Sequence, residues 1–243
     1  MHPEDAGKNN PLHILPKTFG SSIESFLANK ADFFSGMEVT KSSYYGYAGT
    51  TWAFGKGLDQ PGYRLRLSGG TGRYTYESEL TISGNRLPVN FSGEVSSFDV
   101  LAGYQYHHEH WVIKAFLGMN YTEHNIGPYD PDNDVQGTAY GAKTQLELWW
   151  TIDDQQWLSA DATYATSFGD FWSQARYGYT FEDWIAIGPE ITAFGHQDYE
   201  TGRAGVFTRF YTDYGDITLS GGVTGNFEED ASPYGALSIY QKF

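Results

Sequence analysis

The sequence contains no cysteine, no apolar run long enough for a transmembrane helix, and few basic residues. Without cysteine there is no disulfide, no zinc–thiolate site and no thiol nucleophile, and such a composition is compatible with an oxidising periplasm. A transmembrane helix needs about 18 or more apolar residues in a row, so that class is excluded. The 15 basic and 30 acidic residues give a net charge of −15. Nucleic acid is therefore excluded as a partner, because phosphate backbones are bound by basic surfaces.

What the sequence does contain is aromatic residues, at 17%, and 29 glycines, with a mean hydropathy of only −0.48. From Asp32 to the last residue, apolar and polar side chains alternate with a period of two, as in residues 96–107 and 111–122. Many of these segments reach ten residues or more, whereas strands of soluble sandwiches usually have about five or six. Long alternating strands without overall hydrophobicity are typical of a transmembrane β-barrel.

Twelve such segments start near residues 32, 44, 62, 93, 111, 137, 156, 170, 184, 202, 216 and 233. An even number fits a bacterial single-chain barrel, in which short periplasmic turns alternate with longer outer loops. The short connectors 55–61, 107–110, 152–155, 181–183 and 212–215 would then be periplasmic. The longer connectors 77–91, 123–136, 196–201 and 227–232 would be outside. The sequence therefore predicts an all-β, antiparallel, up-and-down barrel of about twelve strands over residues 32–243 in the outer membrane, surrounded by its lipids.

Residues 1–31 differ from the barrel segments, because they contain three prolines and few aromatics. Weak helical spacing over residues 18–30 predicts a short helix. We expect this periplasmic leader to plug the barrel, to cap its mouth or to be disordered. No basic start followed by an apolar core marks a secretory signal. For an exported protein, this sequence would correspond to the mature form.

Placing the apolar faces toward lipid leaves charged residues of both signs in the lumen. The predicted lumen-lining residues are Glu38, Arg64, Arg66, Asp99, Lys114, Lys143, Glu147, Asp161, Arg176, Glu190, Arg203 and Arg209. Inward charges are costly unless paired or hydrated, so this set predicts either a filled, narrow lumen or a polar track for an anionic or carbohydrate solute.

Aromatic residues fall near strand ends, where amphipathic rings form girdles at membrane interfaces. Those assigned to girdles are Tyr45, Tyr47, Trp52, Tyr104, Tyr121, Trp150, Tyr177 and Tyr179. Three tryptophans, Trp149, Trp157 and Trp172, fall instead on the predicted inner face and are candidates for contact with sugar rings.

The carboxylates of Asp130, Asp132 and Asp134 stand at alternate positions, as in a calcium-binding loop. Val135 occupies the place of the required glycine, and Gly141 that of the bidentate glutamate. The sequence favours a solvated loop, and no metal and no cofactor are predicted.

A hydrolase at the outer rim would need a serine with a nearby histidine. His124 and His196 lie on the predicted outer side, but no pattern identifies a serine partner. No catalytic residue is therefore predicted.

Short motifs in a fixed order resemble the BcsS family, an outer-membrane component associated with bacterial cellulose synthase. They are FSGME at 34–38, YAG at 47–49, GYRLRLSGG at 62–70, GYQ at 103–105, PDN at 131–133 leading to Gly137 and GAK at 141–143, and IGPE at 187–190. The resemblance implies an accessory role in secretion of cellulose or a related exopolysaccharide, with polysaccharide and secretion proteins as partners. It implies no catalytic residues and does not cover residues 1–31.

These observations lead to the hypothesis of a noncatalytic outer-membrane barrel that acts as a narrow, porin-like pore or as a scaffold. Two alternatives remain at the level of sequence. One is a rim enzyme, lipase-like or deacylase-like, that modifies lipid or glycan. The other is a soluble carbohydrate-binding β protein.

Overall fold

The structure is a computed structural model that describes residues 29–82, 85–131, 133–197, 199–225 and 231–243. Within these ranges the chain forms twelve strands: β1 (Ala31–Thr40), β2 (Ser43–Ala53), β3 (Gly62–Ile82), β4 (Asn85–His108), β5 (Trp111–Gly127), β6 (Gly137–Thr151), β7 (Gln156–Ala165), β8 (Phe171–Glu182), β9 (Ile185–His196), β10 (Tyr199–Thr212), β11 (Gly215–Gly225) and β12 (Ser232–Lys242). No helix in the described ranges could cross a membrane. The predicted leader, with its helix, lies outside them except for its last residues.

Every strand pairs antiparallel with its neighbours in the sequence, and β1 closes the barrel by pairing with β12. The closing register places Asp32 opposite Lys242 and Thr40 opposite Tyr234. The predicted twelve-stranded, up-and-down barrel is thus confirmed, and a two-sheet sandwich is wrong. Full closure pairs the strand edges that an open sheet would expose.

The largest difference from the predicted boundaries is in the β3–β4 hairpin. Residues 77–91 were expected to form an outer loop, but the two strands stay paired as far as Ile82 and Asn85. Pairing of β2 with β3 ends at Ser43 and Tyr74, and pairing of β4 with β5 ends at Ser92 and Gly127. Beyond these pairs, the hairpin projects from the barrel as a two-stranded ribbon. The alternation continues into the ribbon, where Tyr76 and Leu80 share one face and Glu77 and Glu79 share the other, so the predicted outer loop is wrong.

Side chains in the barrel wall alternate between an exposed apolar set and a buried, largely polar set. In β5, Leu117 and Met119 are exposed while Asn120 is 4% exposed. In β10, Val206 is exposed and Arg203 is buried. A water-soluble protein has the opposite arrangement, because exposed apolar surface on this scale is unfavourable in water. The exterior is suited to a lipid environment.

Paired aromatic rings lie at the ends of the strands. Trp111 and Trp150 stack at 4.7 Å between ring centroids near the end that carries the short turns, and Tyr121 and Tyr140 contact each other toward the opposite end. Of the predicted girdle residues, Tyr45 is wrong, because its hydroxyl lies 3.1 Å from Ser97 Oγ on the inner face. Tyr47 is wrong too, since it lines an internal cavity.

Candidate functional site: the barrel lumen

The twelve charged residues assigned to the lumen all lie on the inward-facing positions of their strands. Five of them are buried as whole residues: Arg64, Arg66, Asp99, Glu190 and Arg203. The other seven are partly buried: Glu38, Lys114, Lys143, Glu147, Asp161, Arg176 and Arg209. Seven of the twelve are basic and five acidic, so the lumen is close to electroneutral in a chain of net charge −15.

One group of charges ties β3 to β6 across the lumen. The guanidinium of Arg66 is ion-paired with Glu147, and Lys114 Nζ lies 3.0 Å from the same carboxylate. Arg66 also lies over the ring of Phe116, 4.3 Å from its centroid. Asp161 is the register partner of Glu147 on β7. We call Arg66, Lys114 and Glu147 the central triad, which links strands that are not neighbours in the wall.

A second group is centred on Asp99. Its carboxylate accepts hydrogen bonds from Lys143 Nζ at 2.6 Å, Asn120 Nδ2 at 2.7 Å and Ser68 Oγ at 3.2 Å. Ser167, in the connection between β7 and β8, donates to Asn120 Oδ1. This connection is therefore anchored to the lumen wall and does not project as a free loop.

A third group joins β8, β9, β11 and β12. Glu190 accepts from Arg176 Nε at 2.7 Å, Tyr234 Oη at 2.7 Å and Ser220 Oγ at 3.0 Å. Nearby, Arg203 on β10 is ion-paired with Glu38 on β1. Between these two ion pairs the side chains leave a cavity of about 50 Å³.

At the end of the barrel where β1 begins and β12 ends, predicted to be periplasmic, the connection 54–61 folds against the lumen side chains. Leu58 of this connection is 6% exposed. Arg64 Nη2 donates to the carbonyls of Gly57, Leu58 and Gln60, and Gln105 Nε2 donates to the Leu58 carbonyl at 2.7 Å. We call this inward-packed connection, which was predicted to be a simple turn, the floor of the lumen.

Two of the three proposed sugar-contact tryptophans pack against each other near the floor. Trp149 and Trp157 stack at 4.4 Å, Trp157 is 4% exposed, and Phe207 packs beside it. The guanidinium of Arg209 lies 4.8 Å from the Trp157 ring centroid. Trp157 is thus a packing residue. Trp172 lies elsewhere, in the wall of the cavity.

The two histidines considered for hydrolysis meet at the opposite mouth. Their ring centroids are 6.3 Å apart, and the ring of Phe168 packs edge-on against His124 at 5.2 Å. His124 is 6% exposed, and its Nδ1 lies 3.1 Å from the hydroxyl of Tyr74. Among the described residues, the side-chain hydrogen-bond partner of His124 is therefore a tyrosine.

The acidic loop 128–136 docks on the ribbon. Tyr76 Oη donates to Asp130 Oδ2 at 2.7 Å and accepts from Asn133 Nδ2 at 2.9 Å. Val135, behind them, is fully buried, and Tyr76 stacks on Phe91. Of the calcium candidates, Asp132 lies outside the described residues. Asp130 and Asp134 belong to no potential metal site formed by three or more His, Asp or Glu within the described part of the chain.

Several lumen residues were missed by the sequence reasoning. Tyr45, Gln105, Asn120 and Tyr234 all make internal hydrogen bonds, and Asp32 accepts from the Thr51 amide at 2.9 Å. The alternation of faces along a strand would have found some of them. Asn120, for example, is an even number of residues from Lys114 and so lies on the same face of β5. The uncharged side chains were passed over because only charged residues had been selected for the lumen, and Asp32 was missed because it stands at the first residues of β1.

An apolar exterior, a closed antiparallel wall and a charged, filled interior together define the class of outer-membrane β-barrels. The chain matches the family of cellulose biosynthesis protein BcsS over residues 33–243, and it belongs to that family. The resemblance inferred from the short motifs is confirmed. No curated protein matched the chain.

Solved structures similar to this chain are also membrane-protein barrels. The KdgM porin has 10% identity, covering 87% of this chain and 99% of its own, with a TM-score of 0.49. The translocator domain of the autotransporter NalP from Neisseria meningitidis has 9% identity, 91% and 92% coverage and a TM-score of 0.50. The Pseudomonas putida toluene transporter TodX has 10% identity, 90% and 91% coverage and a TM-score of 0.47. At such low identity the likeness concerns the fold alone.

Proposed function

We propose that this protein is an outer-membrane scaffold for secretion of cellulose or a related exopolysaccharide, and that it is neither an open pore nor an enzyme. Membership of the BcsS family supports the link to cellulose. The exposed apolar exterior supports residence among outer-membrane lipids. Its partners would be the polysaccharide and the proteins of the secretion apparatus.

The observation that carries the scaffold proposal is the set of ion pairs that join strands across the lumen. The central triad joins β3 to β6, and the pair Arg203–Glu38 joins β10 to β1. Nearer the chain end of β12, the Arg64 guanidinium donates hydrogen bonds to backbone carbonyls of the floor. A barrel of eight strands is filled by side chains and one of about sixteen holds an aqueous channel, so at twelve strands side-chain packing decides. Here the packing favours closure.

Planar-bilayer conductance tests this proposal directly. Refolded wild-type protein is expected to be silent, and removal of residues 1–28, which keeps β1 and the Asn29 carbonyl that accepts from the Leu58 amide, is expected to leave it silent. The combined variant Arg64→Ala, Arg66→Ala, Glu147→Ala is expected to open discrete channels, because it releases both the floor and the central triad. The matched control Arg86→Ala, Glu79→Ala removes an exposed ion pair on the ribbon and should stay silent. Steady conductance of the wild type, or opening on truncation alone, would contradict a closed scaffold.

Complementation of a deletion strain tests the link to secretion. Wild-type protein should restore export of the polymer although it is silent in the bilayer. The variants His124→Ala and His196→Ala should restore export equally, with lipid A and polymer chemically unchanged. A change in either product would favour a rim enzyme.

A further inference from the structure

The mouth of the barrel opposite the floor carries a continuous row of aromatic rings that the ion pairs of the lumen do not explain. The ring centroids of Tyr76 and Tyr74 are 6.2 Å apart, and Tyr74 lies 6.0 Å from His124. His196 lies 6.3 Å from His124 and 6.0 Å from Tyr199. Rings from β3, β5, β9 and β10 thus form one row, which we call the mouth row.

The mouth row has a buried base and an accessible surface. His124 is 6% exposed, whereas Tyr199 is 39% exposed and Tyr74 and Tyr76 are partly exposed. Phe168, also partly exposed, packs edge-on against His124 at 5.2 Å and so adds accessible ring surface beside the buried histidine. The surface is longer than one sugar ring, and it is open at the mouth and not enclosed in a cavity.

Aromatic rings deeper in the lumen differ from the mouth row, because guanidinium groups cover them. Arg203 lies 4.3 Å from the ring centroid of Phe194, and Arg209 lies 4.8 Å from that of Trp157. Over the part of the chain that the structure describes, no such cation–π contact involves the mouth row. Its exposed ring surface is therefore left for contacts with a ligand.

The ionisable groups beside the mouth row are carboxylates. Tyr76 Oη donates to Asp130 at 2.7 Å, and Asp170 interacts electrostatically with Tyr74. Glu200 directly follows the last ring of the row. A polyanion would be repelled here, because like charges at close range disfavour association. The mouth is therefore suited to a ligand without negative charge that offers both apolar faces and hydroxyl groups.

A neutral oligosaccharide has these properties. The C–H faces of its pyranose rings pack against aromatic rings, while its hydroxyl groups exchange hydrogen bonds with polar neighbours. We propose that the mouth row binds a segment of a neutral polysaccharide, with Tyr199 and Tyr74 contacting separate sugar rings of one chain. This inference rests on the proposed role in exopolysaccharide secretion and names the place where the polymer contacts the barrel.

Calorimetric titration with cellohexaose tests the proposal. The refolded full chain is kept in a zwitterionic detergent that has no sugar headgroup. Saturable binding is expected, and D-glucose should bind about tenfold more weakly or less, because one ring cannot contact both ends of the row. Tyr199→Ala should weaken cellohexaose binding about tenfold through lost ring contact, and Tyr199→Trp should retain it. The matched control Tyr164→Ala removes a tyrosine that is 51% exposed on the outer face of β7 and should bind as wild type.

Heat-modifiable gel migration verifies that each variant is folded. The proposal would be overturned by the absence of saturable cellohexaose binding in folded wild type, by undiminished binding in folded Tyr199→Ala, or by an equal loss in Tyr164→Ala. Tighter binding of hexagalacturonate or of a glucosamine hexamer than of cellohexaose would overturn the assignment of a neutral ligand. No binding by a wild type that restores export would overturn this site alone, whereas binding by a protein that does not restore export would overturn the scaffold role alone.

Discussion

The half of the barrel formed by β2–β7 and the half formed by β8–β12 with β1 use the same kinds of charged residue but pack them differently. In the first half, the central triad is surrounded by large inward side chains such as Phe116. In the second half, many inward positions are small, among them Gly205, Ser220 and Ala236. Ion pairs are present in both halves, but a cavity forms between those of the second.

Gly205 illustrates how a small residue shapes the second half. A Cβ at this position would lie 2.5 Å from Tyr234 Oη and 2.4 Å from the Gly221 carbonyl oxygen. Glycine there lets Tyr234 reach Glu190 while the wall strands stay close. The comparison teaches that in this barrel the location of the cavity depends on the distribution of side-chain volume, because charge is distributed through both halves.

Removing one partner of the central triad should have the largest effect. Glu147→Ala leaves Arg66 and Lys114 buried without their carboxylate, and we expect a loss of about 3–5 kcal/mol in the free energy of unfolding. Glu38→Ala, which breaks the pair beside the cavity, should cost less, about 1–2 kcal/mol, because water in the cavity can hydrate Arg203. Urea unfolding in micelles, followed by tryptophan fluorescence, measures both.

The exposed residue Glu79 supplies the control for that contrast. Its pair with Arg86 is exposed at 63% and 77%, so Glu79→Ala should change stability by less than about 1 kcal/mol. Equal losses of unfolding free energy in Glu147→Ala and Glu38→Ala would mean that side chains are packed equally closely around the ion pairs of the two halves.

Acidification should stabilise the connection 166–170, which covers the lumen of the packed half. Burial raises the pKa of Asp170 to about 6, an effect that Asp99 reinforces and Lys143 opposes. The folded-state pKa exceeds the unfolded value of about 3.9, so this contribution is fully present below about pH 4 and is lost as the pH rises to 6. Allowing for partial exposure, we expect a change of about 2 kcal/mol or less.

Amide hydrogen exchange in this connection, measured from pH 4 to 7 and corrected for intrinsic rates, would detect the effect. Asp170→Asn should remove the pH dependence. Asp154→Asn, in the exposed turn 152–155, should retain it. A dependence that persists in Asp170→Asn would assign the titration to another group.

A smaller effect is expected where the loop 128–136 meets the ribbon. Tyr76→Phe removes the hydroxyl that bonds both Asp130 and Asn133, and we expect a loss of about 1–2 kcal/mol, seen as faster exchange in this loop alone. Tyr44→Phe, on the exposed face of β2, is the matched control. If the loop is unaffected in Tyr76→Phe, burial of Val135 and not the hydroxyl holds it in place.

Much of this architecture could be predicted from the sequence because a membrane barrel imposes one simple rule on every strand. Each residue faces either lipid or lumen, so alternation located twelve strands and assigned charged residues such as Arg66 and Glu190 to the interior. The rule gives the face of each residue but not how far a hairpin extends beyond the wall, so the ribbon was taken for a loop although its residues alternate. The inward Tyr45 and Tyr47 were taken for girdle residues, because an aromatic ring suits either side of the wall.

The sequence by itself determined the closed antiparallel barrel, the face on which each charge lies and the family, since these depend on local alternation and short motifs. Only the tertiary structure decided which charges pair, that residues 54–61 pack against the lumen at one end, and that a cavity remains beside Arg203 and Trp172. Those features join residues as far apart as Glu38 and Arg203, and their contacts depend on barrel curvature and side-chain volume, which no periodicity along the chain records.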